Sequence, residues 1–154
     1  MNLLFVYRIQ ILETSMNIIQ AEKKKDVIPL SEREEEIGKI IVNAAFKVHS
    51  ALGPGLLEKV YEICFVHELK KADLNAVRQV DVSINYDGMV FDDCLRLDVM
   101  VEDLVVCELK AIEHVNPLWY AQVLSHLKLT DKRLGYLINF NVEKIKDGIK
   151  RIIR

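Results

Sequence analysis

Apolar residues recur at three- and four-residue steps in two early segments of the chain, and this spacing predicts two amphipathic helices. The first helix covers about residues 31–50. It opens on Ser31 with Glu34 three residues later, which is the pattern of a capping box. Gly53-Pro54-Gly55 ends this helix, because glycine and proline interrupt helical structure. The second helix covers about residues 56–71.

A two-residue alternation then replaces the helical spacing, and it predicts β-strands. The alternating apolar residues of the first strand are Val80, Val82, Ile84 and Tyr86. Asp87-Gly88 is a strong hairpin turn signal, and a second strand follows over about residues 89–101. The short, almost continuous apolar run at residues 104–109 is typical of a central strand that is covered on both faces.

The helical pattern returns at Pro117 and extends to about Leu129. Residues 132–140 predict one more strand, and residues 143–154 predict a basic terminal helix. The order is α-α-β-β-β-α-β-α. We therefore expect an α/β fold over residues 31–154, with a mixed four-stranded sheet flanked by helices. Residues 1–30 are expected to form an N-terminal arm.

The composition fits one globular domain, because the 154 residues are 51% hydrophobic and 29% charged. No apolar run approaches the ~20 residues that span a bilayer, and the first residues lack the pattern of a signal peptide. Three cysteines without a CxxC pair indicate reduced thiols rather than disulfides or a zinc site. We expect a cytoplasmic protein without a membrane segment.

The formal net charge is −2, whereas a nucleic-acid-binding protein often carries a strongly basic face. Any positive surface must therefore be local. Its candidates belong to the terminal helix and to the segment before it: Lys128, Lys132, Arg133, Lys144, Lys146, Lys150, Arg151 and Arg154. Such charge runs are more often solvated faces than binding surfaces, and we favour the solvated face.

Two acidic residues and a lysine stand on adjacent predicted strands. Asp98 lies on the second strand, and Glu108 and Lys110 share one face at the end of the third. Carboxylates from neighbouring strands can bind Mg²⁺ or Mn²⁺, and the backbone carbonyl of Leu109 can add a ligand. A lysine beside them can orient or deprotonate a water, or stabilise charge on a phosphate. The same short pattern also occurs among solvated or mutually paired side chains.

The connection between these two strands decides whether the acids meet. A two-residue turn at Glu102-Asp103 would pair Asp98 with Cys107 and turn it away from Glu108. We therefore predict a three-residue connection or a β-bulge, either of which places Asp98 opposite Glu108.

A set of short motifs follows one order along about residues 36–153. The first is Gly55-Leu56-Leu57-Glu58-Lys59-Val60-Tyr61. The others are Asn85-Tyr86-Asp87-Gly88, Arg96-Leu97-Asp98, Glu108-Leu109-Lys110-Ala111, Ala121-Gln122, Leu134-Gly135-Tyr136-Leu137-Ile138-Asn139-Phe140-Asn141 and Lys146-Asp147-Gly148-Ile149-Lys150-Arg151. In these motifs the chain resembles the GxxExxY proteins, a family within the PD-(D/E)XK nuclease superfamily.

The resemblance implies a nuclease-like core in which Asp98, Glu108 and Lys110 form the signature triad. Glu58 is similar to the extra acidic residue that many such folds place near the metal. From spacing alone, we favour Glu58 as a first-turn acid of its helix and Tyr61 as a core aromatic residue, and the resemblance gives the functional interpretation about equal weight.

Gln122 resembles the glutamine found after the ExK strand in RecB-like members, and His126 stands where that family usually has a tyrosine. Four residues apart on one helix, Gln122 and His126 can face a phosphate or a base, or form an ordinary polar helix face. Trp119 and Tyr120 at the start of this helix can stack on a nucleotide, although aromatic residues are more often part of the core.

Three functions remain open from the sequence. The first is a metal-dependent nuclease for DNA or RNA, in which Asp98, Glu108, Glu58 and the Leu109 carbonyl hold Mg²⁺ or Mn²⁺ while Lys110 and Gln122 assist. The second is a non-catalytic binding or assembly module that keeps the nuclease fold. The third is metal-assisted chemistry on a small phosphorylated molecule. A homodimer is compatible with each of them.

Overall fold

The computed structural model describes residues 29–154, which contain four helices and five strands. The helices are α1 (Glu32–Leu52), α2 (Glu58–Lys71), α3 (Leu118–Leu129) and α4 (Ile145–Gly148). The strands are β1 (Ala76–Tyr86), β2 (Met89–Val101), β3 (Val105–Lys110), β4 (Leu134–Asn139) and β5 (Ile149–Ile153). The predicted N-terminal arm, apart from its last two residues, lies outside the described residues.

The strands form one mixed sheet in the order β1-β2-β3-β4-β5. β3 and β4 run parallel, and the other three neighbouring pairs run antiparallel. The predicted α/β architecture with a mixed sheet is therefore confirmed. The predicted number of four strands is wrong, since β5 adds a fifth beside β4 within residues 29–154.

Two apolar clusters lie on the two faces of this sheet. α1 and α2 pack on one face, and α3 packs on the other. β3 contributes to both clusters, because Val105, Cys107 and Leu109 belong to the first and Val106 belongs to the second. This confirms the prediction that β3 is a central strand covered on both sides.

The capping box of α1 is formed as predicted. The Ser31 hydroxyl accepts the Glu34 backbone N–H at 3.2 Å, and the Glu34 carboxylate accepts the Ser31 backbone N–H at 2.7 Å. Gly53 follows the helix with a φ of 67°, a left-handed conformation that suits glycine. The helix therefore begins and ends at sequence signals for capping.

The β1–β2 hairpin also follows its turn signal. Asp87 and Gly88 both have positive φ, at 51° and 77°, and the flanking residues Tyr86 and Met89 pair directly. A two-residue loop with positive φ at both positions matches the right-handed twist of the strands.

The β2–β3 connection has the odd length that the register argument required. Val101 pairs with Val105, so the loop consists of the three residues Glu102, Asp103 and Leu104. The register of the preceding pairs, continued by one position, sets Asp98 opposite Glu108. The prediction of a three-residue connection is confirmed.

The end of the chain differs from the prediction of a basic helix over residues 143–154. Helix α4 is one turn long, and the residues that follow it form β5 beside β4. Ile145, Ile149 and Ile152 are spaced by four and three residues, which imitates a helix in sequence. Backbone pairing with β4 and the burial of Ile152 against α3 override that local preference.

Candidate active site

β3 and β4 bring their C-terminal ends to one place, because the two strands are parallel. Lys110, the last residue of β3, pairs with Asn139, the last residue of β4. The Asn139 side chain accepts the Ile112 N–H at 3.2 Å and donates to the Ile112 carbonyl at 2.9 Å. This buried amide fixes the path of the chain as it leaves β3. The sequence alone did not indicate this role of the Asn139 side chain.

Asp98 is attached to β3 through its carboxylate. Its Oδ2 accepts the backbone N–H of Leu109 at 2.8 Å, just beyond the last paired position of β2 and β3. The predicted acid on β2 therefore lies beside the strand that carries Glu108 and Lys110. For Leu109 it is the N–H that makes this contact, while its side chain is buried in the core.

Glu58 reaches the same region from α2. It is the first residue of that helix. Burial raises the pKa of its carboxyl, and the neighbouring backbone N–H of Ala111 has a smaller opposing effect. The charges of Lys110 and Asp98 both act on its ionisation. The structure therefore brings Glu58 together with the residues of β2 and β3.

Lys110 and Gln122 both contact Glu108, and both contact the same oxygen. The Lys110 ammonium lies 2.7 Å from Glu108 Oε1, and Gln122 on α3 donates its side-chain N–H to Oε1 at 3.0 Å. Glu108 is 3% exposed. All five predicted site residues therefore lie within one group of contacts and charges.

Burial and mutual repulsion raise the pKa values of the acids. Burial is the largest cause for Asp98, for Glu108 and for Glu58. The Asp98 charge adds to the increase in the pKa of Glu108, and the Glu58 charge adds a smaller part. The cluster therefore holds more negative charge than its environment favours.

Lys110 is the positive charge within this cluster. Burial alone would lower its pKa, but the hydrogen bond to Glu108 and the charges of Glu108, Asp98 and Glu58 raise it. Lys110 therefore stays protonated at neutral pH in this arrangement. Its Nζ also lies 6.0 Å from the centre of the Trp119 ring, which places that aromatic residue beside the site.

The second oxygen of Glu108 faces His126. Glu108 Oε2 and His126 Nδ1 are 3.5 Å apart, and both atoms are buried without a hydrogen-bond partner. Burial and the charge of Lys110 lower the pKa of His126. The ring is therefore neutral at pH 7, and this contact is not an ion pair.

The acidic side chains have the chemistry of a divalent-cation site. Asp98, Glu108 and Glu58 provide the hard oxygen donors that Mg²⁺ and Mn²⁺ prefer, and Glu108 Oε2 is a buried acceptor in need of a partner. Within residues 29–154, however, no three His, Cys, Asp or Glu side chains converge as a ready metal-binding group. The donors fit such an ion by chemistry, and binding would require their side chains to rearrange.

Glu62 is a further acid near the site that sequence reasoning missed. It is buried one turn after Glu58 on α2, bonds to Arg78, and accepts from the Gln79 amide at 2.7 Å. Its charge raises the pKa of Asp98. Gln79 has a φ of 51° within β1, which is unusual for a residue other than glycine. The four-residue spacing from Glu58 was a usable sequence signal for Glu62.

The aromatic candidates divide between the core and the surface. Tyr61 is fully buried and stacks on Phe140 with ring centroids 4.7 Å apart. Its hydroxyl donates to the Gly53 carbonyl and accepts the Leu56 N–H, so it fixes the loop between α1 and α2. This agrees with the core interpretation of Tyr61. Tyr120 is 48% exposed at the start of α3.

Several cations of the proposed positive surface are paired with acids. Lys132 contacts Asp103 at 2.9 Å, and Arg154 contacts Asp131 at 2.6 Å. Arg151 is paired with Glu35 of α1. These pairs reduce the positive field that the C-terminal segment offers to a nucleic acid, in line with the preference for a solvated face.

A family model of the PD-(D/E)XK nuclease superfamily matches residues 35–152. The match covers most of the chain and includes every site residue named above, so the chain belongs to the PD-(D/E)XK nuclease superfamily. No curated protein and no solved structure matches it significantly. Within residues 29–154, no helix has the length and apolar character needed to cross a membrane.

Proposed function

We propose that this protein is a metal-dependent nuclease that hydrolyses phosphodiester bonds of DNA or RNA. The observation that carries the proposal is the meeting of Asp98, Glu108 and Glu58 around one half-buried lysine, Lys110. Membership of the superfamily supports nuclease-type chemistry. Fold membership alone does not establish an activity, so the proposal depends on the side chains of the site.

The carboxylates of Asp98, Glu108 and Glu58, together with the backbone carbonyl of Leu109, are the proposed ligands of Mg²⁺ or Mn²⁺. Such an ion supplies an activated water and screens the charge of the scissile phosphate. Burial is the main cause of the raised pKa values of Asp98 and Glu108, and repulsion between acids adds to it. A bound cation would relieve that repulsion.

We assign charge stabilisation to Lys110. Its pKa is raised while the carboxylates surround it, which opposes a role as proton acceptor. A protonated ammonium beside the site can instead stabilise negative charge as it develops on the phosphate. Gln122 holds the Glu108 carboxylate and is proposed to position either the metal or the substrate.

We also propose that the chain is a GxxExxY protein within this superfamily. The three residues of that motif have separate positions that support the assignment. Gly55 adopts a φ of 96° in the loop, the charges of Lys110 and Asp98 act on the pKa of Glu58, and Tyr61 holds the loop through its hydroxyl. The motif therefore spans the loop that leads into α2, and its acid belongs to the site.

A non-catalytic binding or assembly module is the second candidate. It is favoured by the lack of a ready three-ligand metal group among residues 29–154 and by the paired state of Lys132, Arg151 and Arg154. In that case the acidic cluster would be a retained feature of the fold.

A cytoplasmic location and a homodimer are further proposals. Light scattering on the purified protein would test whether it forms a homodimer.

Cleavage of DNA and RNA tests the proposed activity. Purified protein is incubated with single- and double-stranded DNA and RNA, in Mg²⁺, in Mn²⁺ and in EDTA. We expect metal-dependent cleavage that Glu108→Gln and Lys110→Met each reduce by about 10²- to 10⁴-fold, the usual range for groups that act on proton transfer or charge in a transition state. A small phosphodiester is included to detect action on a small molecule.

Two matched controls carry the same chemical changes on exposed residues. Glu143→Gln and Lys146→Met replace side chains that lie on the surface, and they should cleave like the wild type. Absence of cleavage by the wild type on every substrate would favour the binding module. Equal cleavage by Glu108→Gln and the wild type would place the activity elsewhere.

A further inference from the structure

Two buried polar atoms face each other beside Glu108, and neither has a hydrogen bond. They are Glu108 Oε2 and His126 Nδ1, 3.5 Å apart, in residues that are each 3% exposed. Buried polar atoms almost always have partners. A pair left unsatisfied within reach of each other therefore calls for an explanation of how the two atoms interact.

Helix α3 presents two side chains to this one carboxylate. Gln122 and His126 are four residues apart and share a helix face. Gln122 donates to Oε1 at 3.0 Å, whereas His126 faces Oε2. The backbone of His126 is fixed at the end of the helix, where its carbonyl accepts both the N–H and the hydroxyl of Thr130, at 3.0 and 2.7 Å. The ring therefore approaches Glu108 from a constrained position.

The proton on the imidazole decides whether this contact attracts or repels. A neutral imidazole carries one proton, on Nδ1 or on Nε2. With the proton on Nε2, the Nδ1 lone pair would face a carboxylate lone pair across 3.5 Å. With the proton on Nδ1, the same contact becomes a hydrogen bond after a small movement, since N–H···O bonds are usually 2.7–3.2 Å long.

We propose that His126 is a positioning residue that donates its Nδ1–H to Glu108 Oε2 and, together with Gln122, fixes the Glu108 carboxylate for metal binding. Each oxygen then receives one donor from α3. Oε1 also accepts from Lys110, so the lone pair left for a cation is the second one of Oε2. The hydrogen bond itself does not depend on the proposed nuclease function. Its consequence for the metal rests on that function.

His49 provides an internal reference for deciding which ring nitrogen of a histidine carries the proton. Its Nε2 lies 2.8 Å from the backbone carbonyl of Val142. A carbonyl oxygen can only accept, so His49 must carry its proton on Nε2 when it is neutral. The proposal therefore assigns opposite tautomers to two histidines of one protein, and both can be observed in a single spectrum.

The first measurement is a long-range ¹H–¹⁵N spectrum of the metal-free protein with labelled histidine, at neutral pH. His126→Asn assigns the signals of His126 by removing them. We expect His126 protonated on Nδ1 and His49 on Nε2. The proposal is overturned if His126 carries its proton on Nε2, because Nδ1 could not then donate to Glu108.

The second measurement is the Mn²⁺ affinity of two variants of similar shape. His126→Asn keeps an N–H donor near the position of Nδ1, whereas His126→Leu removes it. Groups that hold a metal ligand in place typically contribute about 10- to 100-fold to affinity. We expect a loss of this size for His126→Leu and a substantial recovery for His126→Asn. Circular dichroism of both variants checks that they fold.

The outcomes separate this proposal from the proposed function. If Glu108→Gln weakens Mn²⁺ binding while His126→Leu does not, the metal site stands and the positioning role is wrong. If Glu108→Gln leaves binding unchanged, the proposed metal site is wrong, and the tautomer spectrum alone decides whether the hydrogen bond exists.

Discussion

At the scale of single residues, Glu108 is the centre of the site. Lys110 and Gln122 share its Oε1, and His126 faces its Oε2. Asp98 contacts the same strand one residue further along, through the Leu109 N–H. A buried carboxylate of this kind is kept in the core only because charged and polar partners compensate for its lost hydration.

The contribution of Asp98, Glu108 and Glu58 to stability should become less favourable as the pH rises from about 4. The pKa values of Asp98, Glu108 and Glu58 are raised above their ordinary values of 3.8, 4.5 and 4.5. Between the ordinary and the raised pKa values, the folded state binds more protons than the unfolded chain, so stability is lost as these groups ionise. Glu108→Gln should reduce this loss.

Urea unfolding of the wild type, Glu108→Gln and the exposed control Glu143→Gln between pH 4 and pH 8 measures the effect. Glu108→Gln loses the bond to Lys110, so its absolute stability is not the informative quantity. The informative quantity is the slope of the unfolding free energy against pH. This slope should be less negative for Glu108→Gln than for the wild type. If the unfolding free energies of all three proteins change in parallel with pH, the ionisation of Glu108 does not contribute to the pH dependence of stability.

The residues that their spacing along the chain indicated share a feature that Glu62 and His126 lack. Asp98, Glu108 and Lys110 stand on strands whose two-residue period fixes the direction of each side chain. Glu62, which was missed, and His126, for which a polar helix face remained an open alternative, lie on helices, where a polar residue is equally compatible with a solvated face. Their burial depends on how α2 and α3 pack on the sheet, which a single sequence does not specify.

At the scale of elements, local sequence signals predicted the structure correctly where the backbone conformation requires a particular residue type. The capping box of α1 and the Asp87-Gly88 turn formed as predicted. The odd β2–β3 connection followed from the requirement that Asp98 and Glu108 lie opposite each other. The prediction for the C-terminal segment was wrong because its isoleucine spacing fits a helix. Its strand structure depends on pairing with β4, which its own sequence does not show.

Gly148→Ala distinguishes the observed chain end from the helix that the sequence predicted. In a helix interior, alanine stabilises relative to glycine by about 1 kcal/mol. Here, an added Cβ would collide with the backbone carbonyl oxygen of Asn139. We therefore expect a loss of about 1–3 kcal/mol, the usual cost of overpacking, in the free energy of unfolding by urea.

The exposed neighbour Lys146 provides the control for this substitution. Lys146→Ala changes the same short helix without entering the core, and its effect should stay within about 0.5 kcal/mol. A stabilising Gly148→Ala would contradict the close approach of α4 to β4.

At the scale of the whole molecule, side chains from three elements meet at one cluster. Glu58 comes from α2, Asp98 from β2 and Glu108 from β3. The parallel pairing of β3 with β4 and the packing of α2 against the sheet create this meeting point. The overall charge of −2 does not reveal it, because a net charge does not say which charged side chains lie together.

The binding of Mn²⁺ at neutral pH, measured by isothermal titration calorimetry, tests most directly whether these three acids form one cation site. Even residues that only support metal ligands typically contribute about 10- to 100-fold to affinity, so Glu58→Gln, Asp98→Asn and Glu108→Gln should each weaken binding by at least about tenfold. Glu143→Gln should bind like the wild type. Failure of the wild type to bind Mn²⁺, or unchanged affinity in all three variants, would contradict the account.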